Sequence, residues 1–166
     1  MPLSPVKKAI EASETDHIAV IELLFYAYQD FTADPDRLLL ELGFGRAHHR
    51  VLYFVSRRPG LTVAELLDVL GITKQSLGRV LKQLIDDEYI LQEAGVKDRR
   101  QRELYPTQKG RDLSLRLSEP QSQRIERALK QAGLEDSSIV RKFLAGMLDN
   151  DRREPTYIEN LAREKQ

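Results

Sequence analysis

The stretch from Thr62 to Gly110, TVAELLDVLGITKQSLGRVLKQLIDDEYILQEAGVKDRRQRELYPTQKG, leaves few folds open to this chain. Thr62 with Glu65 three residues later has the form of a capping box. Leu66, Leu67 and Leu70 give the helix that follows an apolar stripe. Gly71 can turn the chain at positive φ, and Thr73 suits the N-cap of a second helix. In that helix Leu77, Val80, Leu81, Leu84 and Ile85 share one face at 3.6-residue spacing. The opposite face carries Gln75, Arg79, Lys82, Gln83 and Asp86, and the first turn adds Lys74 and Ser76. Side chains of this kind can hydrogen-bond phosphates or base edges. Taken alone, such a face reads equally well as ordinary solvated surface.

The segment after the helix tips that balance. Ile90–Val96 can pair with Arg102–Tyr105 around the tip Lys97, Asp98, Arg99, Arg100 and Gln101. From Lys97 to Arg102 there are four bases and one acid. A β-hairpin tipped with arginines concentrates positive charge where a narrow minor groove attracts it. An isolated basic turn is usually plain surface, but one directly behind two such helices is much harder to dismiss. The order of parts predicts a mainly α fold with a small β-hairpin wing, a winged helix-turn-helix, whose partner would be double-stranded DNA.

The run from Leu42 to Gly110 resembles the MarR family of bacterial transcriptional regulators. The marks are RPGLTVAELLDVLGIT (Arg58–Thr73), SLGRVLKQLIDDEYI (Ser76–Ile90) and DRRQRELYPTQKG (Asp98–Gly110), the last similar to the family's wing signature, an Asp-x-Arg tip followed some residues on by Thr-x-x-Gly. The resemblance implies a homodimer on a pseudo-palindromic site, with affinity modulated by a small-molecule effector in many members. It also implies that Arg100 enters the minor groove and that Asp98 orients it. Three positions depart from the pattern. Glu88 stands where the family usually has glycine; a left-handed residue with a side chain costs about 1 kcal/mol or more, so a different helix ending is expected. Gly78 lies inside the second helix, at a cost of roughly 1 kcal/mol against alanine. Pro106 is expected to end the second wing strand early.

Composition narrows the alternatives. The chain has 166 residues, enough for one domain with appended helices, and 41% of them are hydrophobic, enough for a core. No run approaches the ~20 apolar residues of a membrane span, and the first residues lack the apolar centre of a signal peptide. Cysteine is absent, which removes disulfides, thiolate nucleophiles and Cys-based zinc sites. A cytoplasmic location is the resulting expectation. Net charge is zero, yet residues 1–45 carry a net of −5 and residues 46–111 a net of +5. The positive charge thus lies on the segment that would face phosphates.

The flanks read as helical dimerisation regions, over residues 15–45 and 112–149, around a core at 46–111; the whole is one domain, ending in a polar tail at 150–166. Residues 1–13 read as a loose arm. From Thr15 to Phe31 apolar residues fall almost all round the helix, among them Ile18, Ile21, Leu24 and Phe25. Such a helix needs burial on every side, and a second subunit can supply it; the alternative is the central helix of a monomeric bundle. Asp34 is expected to cap a short helix with Pro35 at its first position. Thr107 should cap a long helix, broken or kinked near Ser118 by Pro120. A final apolar helix after Ser137 contributes Phe143, Leu144 and Met147 to the expected dimer interface.

Other chemistry finds little support. His48 and His49 are neighbours and would point about 100° apart on a helix, so no metal ligand set is expected. No phosphate loop, nucleophile elbow or carboxylate pair suggests an enzyme or a cofactor. His17, Tyr26, Tyr28, His48 and Tyr53 are candidate liners of an effector pocket, each equally at home as core or interface aromatics. The expected function is a ligand-modulated repressor. The alternative is a winged-helix protein-interaction module, or a small-molecule sensor, that does not bind DNA.

Overall fold

The computed structural model describes residues 5–96, 98–149 and 154–163. The elements run α1 (Pro5–Ala33), α2 (Asp36–Glu41), α3 (Arg46–Arg57), β1 (Leu61–Thr62), α4 (Val63–Leu70), α5 (Lys74–Asp86), β2 (Ile90–Ala94), β3 (Arg102–Pro106), α6 (Gln108–Gln131), α7 (Ser138–Gly146) and α8 (Pro155–Ala162). This is the mainly α, winged architecture expected.

The local signals behave as their chemistry requires. Thr62 Oγ1 accepts the Glu65 amide at 3.3 Å while the Glu65 carboxylate accepts the Thr62 amide at 2.8 Å, closing the capping box. Gly71 ends α4 at φ 61°, in the left-handed region. Thr73 Oγ1 accepts the Ser76 amide and starts α5. Thr107 Oγ1 accepts the Gly110 amide at 2.9 Å and starts α6.

One apolar core binds these elements, and its buried members all lie between Leu39 and Leu117. Val51, Leu52 and Val55 of α3, Leu66 and Leu70 of α4, and Leu77, Val80, Leu81 and Leu84 of α5 meet there. Fully burying one such side chain stabilises the fold by about 1.5–3 kcal/mol. Leu61 and Leu104, opposite each other in the β1–β3 pair, close the core from the sheet side. The sheet order is β1-β3-β2, antiparallel throughout.

Several expectations need correction. Helix α1 begins at Pro5, so residues 5–13 are helical rather than a loose arm. Asp34 does not cap α2: Pro35 holds the N-cap position, and the Asp34 carboxylate forms a two-pronged pair with Arg124 of α6, at 2.6 and 2.7 Å. That pair holds the Asp34 carboxyl below the usual carboxylate range. Helix α6 is continuous through Pro120. Its first half is held by Leu113 and Leu117 in the core. Its second half is held by Arg124 and by Gln121, which donates to the Phe31 carbonyl. The first wing strand stops at Ala94 rather than Val96. The second runs through Pro106, which pairs opposite Ile90. Backbone groups alternate along β3, so the Pro106 nitrogen faces the β1 side, beyond the two residues that β1 pairs. No ladder bond is lost there. Helix α7 does start after Ser137, and its first turn is bound by Asp136, whose carboxylate accepts the Ser138 amide at 2.6 Å. The one short helix that the tail could form is present as α8.

Candidate nucleic-acid interface

Leu77 and Leu84 are fully buried, which locks the rotation of α5 about its own axis. Lys74, Gln75, Ser76, Arg79 and Lys82 are consequently exposed, and Gln83 is half-buried at the flank. Their freedom differs. The Ser76 hydroxyl is engaged by Thr73 Oγ1 at 2.9 Å. Lys82 pairs with Asp86 one turn on. Gln83 Oε1 meets His48 Nε2 at 2.9 Å. Gly78 is exposed, with nothing within 4 Å of where a Cβ would sit.

The wing is shaped by its backbone and by two carboxylates. The Gly95 amide donates to the Gln101 carbonyl, and the Gln101 amide to the Asp98 carbonyl, both at 3.0 Å. A Cβ on Gly95 would lie 2.7 Å from the Asp98 carbonyl oxygen, so the turn tolerates only glycine there. Asp98 Oδ1 accepts the backbone N–H of Arg100 at 2.9 Å, so its carboxylate orients the turn through the main chain. Glu103 accepts the Val96 amide and the Tyr105 hydroxyl, and the latter bond raises the Tyr105 phenol above its ordinary value. Arg99, Arg100 and Arg102 are exposed. Lys97 lies outside the described residues.

The junction behind α5 explains the Thr-x-x-Gly spacing. Thr107 Oγ1 donates to the Glu88 carbonyl at 2.8 Å, and its amide donates to the Tyr89 carbonyl. A Cβ on Gly110 would stand 2.1 Å from that Tyr89 oxygen. Only glycine lets α6 approach the end of α5 so closely. Lys109, which the sequence reading passed over, donates to the Asp87 carbonyl and sits 4.3 Å above the Tyr89 ring. Its signal was its place inside the Thr-x-x-Gly run.

The five candidate pocket liners are not gathered in one place within this chain. His17, Tyr26 and Tyr28 lie exposed along α1. His48 stacks on Phe44. Tyr53 lines an open cavity of about 1080 Å³ between α3, α4 and α8, with Arg57, Arg58, Leu67, Tyr157 and Leu161. Helix α8 is tied there by Arg58, which bonds Glu154 at 3.3 Å and lies over the Tyr157 ring. His49 is buried, its Nε2 without a hydrogen-bond partner among the described residues, and burial pushes its imidazole below the usual value. Among the described residues no group of three or more His, Asp or Glu side chains could hold a metal, and no helix is long and apolar enough to cross a membrane.

Of the expected dimerisation residues, Ile18, Ile21, Phe25, Phe143, Leu144 and Met147 are all exposed. Leu24 is half-buried; with Leu144 and Met147, and with Ile158 and Leu161 of α8, it lines an open apolar cavity of about 530 Å³.

Known proteins share this arrangement. Residues 42–101 match the MarR family model. The HTH-type transcriptional regulator PetP of Rhodobacter capsulatus is 49% identical over 129 residues, 78% of each chain. The crystal structure of the transcriptional regulator SlyA superposes with a TM-score of 0.63 at 16% identity, over 86% of this chain and 96% of that one. A putative MarR family regulator from Listeria monocytogenes, solved with 26mer DNA, superposes at 0.67 and 17% identity, over 88% and 97%. The chain thus belongs to the MarR family of helix-turn-helix transcriptional regulators.

Proposed function

We propose that this protein is a homodimeric, sequence-specific DNA-binding repressor of the cytoplasm, acting on a pseudo-palindromic operator. One observation carries the reading: the buried leucines of α5 turn Lys74, Gln75, Arg79 and Lys82 outward, and an exposed arginine turn follows on the next hairpin. Side chains of α5 would enter the major groove, with Ser76 and Gln83 at its flank. Arg99, Arg100 or Arg102 would reach the adjoining minor groove, with Lys97 and Asp98 at the same tip. The Listeria relative solved with DNA supports this use of the fold. Two-fold pairing would set the reading helices about one helical turn apart.

Pairing would cover the apolar faces of α1 and α7. An effector would act by binding one separation of the reading helices better than the other. His17, Tyr26, Tyr28, His48 and Tyr53 are its candidate contacts.

Selection of bound fragments from random DNA should return an inverted repeat. On that site Arg100→Ala should weaken binding by about 1–3 kcal/mol with the fold intact. Equal affinity of variant and parent in a gel-shift titration would remove Arg100 from the interface.

A further inference from the structure

We propose that His48, which lies on α3 outside the helix-turn-helix, is a positioning residue for DNA reading: it holds the Gln83 carbonyl oxygen and so presents the amide N–H donors to the nucleic acid. The inference rests on the DNA-binding reading above.

The polarity of the chain of bonds follows from its first member. The Gly45 backbone N–H can only donate, and it lies 3.0 Å from His48 Nδ1. Nδ1 therefore accepts and carries no proton. In a neutral imidazole the proton is then on Nε2. Nε2 lies 2.9 Å from the Gln83 side chain, so the atom facing it must be the acceptor, Oε1. The same logic fixes the orientation of the amide. The ring cannot swing away easily. It stacks on Phe44 at 4.7 Å and 8°, and Phe44 packs edge-on against Tyr89 at 5.5 Å.

A free glutamine can read adenine with both ends of its amide, accepting from N6 and donating to N7. The Nε2–H takes one lone pair of the Gln83 oxygen and holds that acceptor toward α3. The amide N–H donors match guanine O6 and N7, adenine N7, thymine O4 or a phosphate oxygen. They mismatch the amino groups of adenine and cytosine. Gln83 stands one turn beyond Arg79 on the same flank of α5, where such a contact extends the Arg79 footprint.

Base preferences of the intact dimer should be measured by selection for the parent, His48→Ala, His48→Gln and Gln83→Ala. Glutamine at position 48 reaches about as far as Nε2 and can donate in its place. At one symmetric pair of operator positions the parent should prefer guanine or thymine. His48→Ala should reduce that preference roughly 5-fold, other positions should keep theirs, and His48→Gln should restore it. A phosphate contact would instead give an equal loss on every sequence with His48→Ala, again restored by His48→Gln, and would support the same donor role. Identical profiles for parent and His48→Ala on DNA that both bind would overturn the inference and leave the DNA-binding reading standing. If the parent selects no DNA, both fall. A readout independent of DNA is the imidazole ¹⁵N spectrum of the free protein. The Nε2–H form is expected for His48, and the Nδ1–H form would overturn the assignment.

Discussion

Glu88 shows how a single residue can obey its neighbours against its own preference. It follows α5 at φ 60°, a conformation that usually belongs to glycine. The sequence suggested that a side chain there would force another helix ending. The ending is instead set from both sides: the Tyr89 amide donates to the Leu84 carbonyl, and Thr107 binds the Glu88 carbonyl. Those bonds outweigh a penalty of about 1–2 kcal/mol. Glu88→Gly should therefore raise unfolding stability by about 0.5–1 kcal/mol, the relief being partly cancelled by the greater freedom of glycine in the unfolded chain. Urea denaturation of both proteins checks this; no gain would mean that the strain is absorbed elsewhere. Gly110 is the opposite case. Its identity is dictated by an oxygen of another segment, Tyr89, and the Thr-x-x-Gly spacing already carried the signal.

At the scale of elements, helices whose apolar stripe and caps lie close together in the chain were legible before any coordinates. Helix α4 starts at Thr62 and ends at Gly71, and α5 starts at Thr73, as those residues predict. Helix α6 was misread, because a proline rule is local and the forces on α6 are not. Arg124 and Gln121 tie its second half to the end of α1 across 90 residues of sequence. The penalty for Pro120 should still be present in the folded state. Pro120→Ala should raise the melting temperature by several degrees, equivalent to about 1–3 kcal/mol. An unchanged melting temperature would show that the surrounding helix already accommodates the ring at no cost. The pair of Arg124 with Asp34 likewise explains why the expected cap of α2 is missing: an arginine fork is a stronger partner than an amide at a helix start.

For the whole molecule, the division of apolar surface is the decisive feature. The buried core ends at Leu39 and Leu117, while Ile18, Ile21, Phe25, Ile139 and Phe143 stay exposed in the single chain. Exposed apolar side chains on two helices are what a second subunit would cover. Under the proposed pairing, sedimentation at micromolar concentration should give a dimer mass before DNA is added, and Phe25→Glu should shift the population toward monomer. A parent that sediments as a monomer would contradict the proposal.

What the order of residues settles here is whatever repeats within a few turns of chain: the capping box of α4, the threonine caps, the stripe that buries one side of α5, the glycine turn after α4 and the arginines at the wing tip. Short-range hydrogen bonds and helical periodicity carry that information, so the winged core was readable in outline. Which side chains of the reading face are already engaged is another matter. His48 meets Gln83 across 35 residues, and Arg124 meets Asp34 across 90. No local spacing encodes such meetings, because they arise only when α3 packs on α5 and α6 on α1.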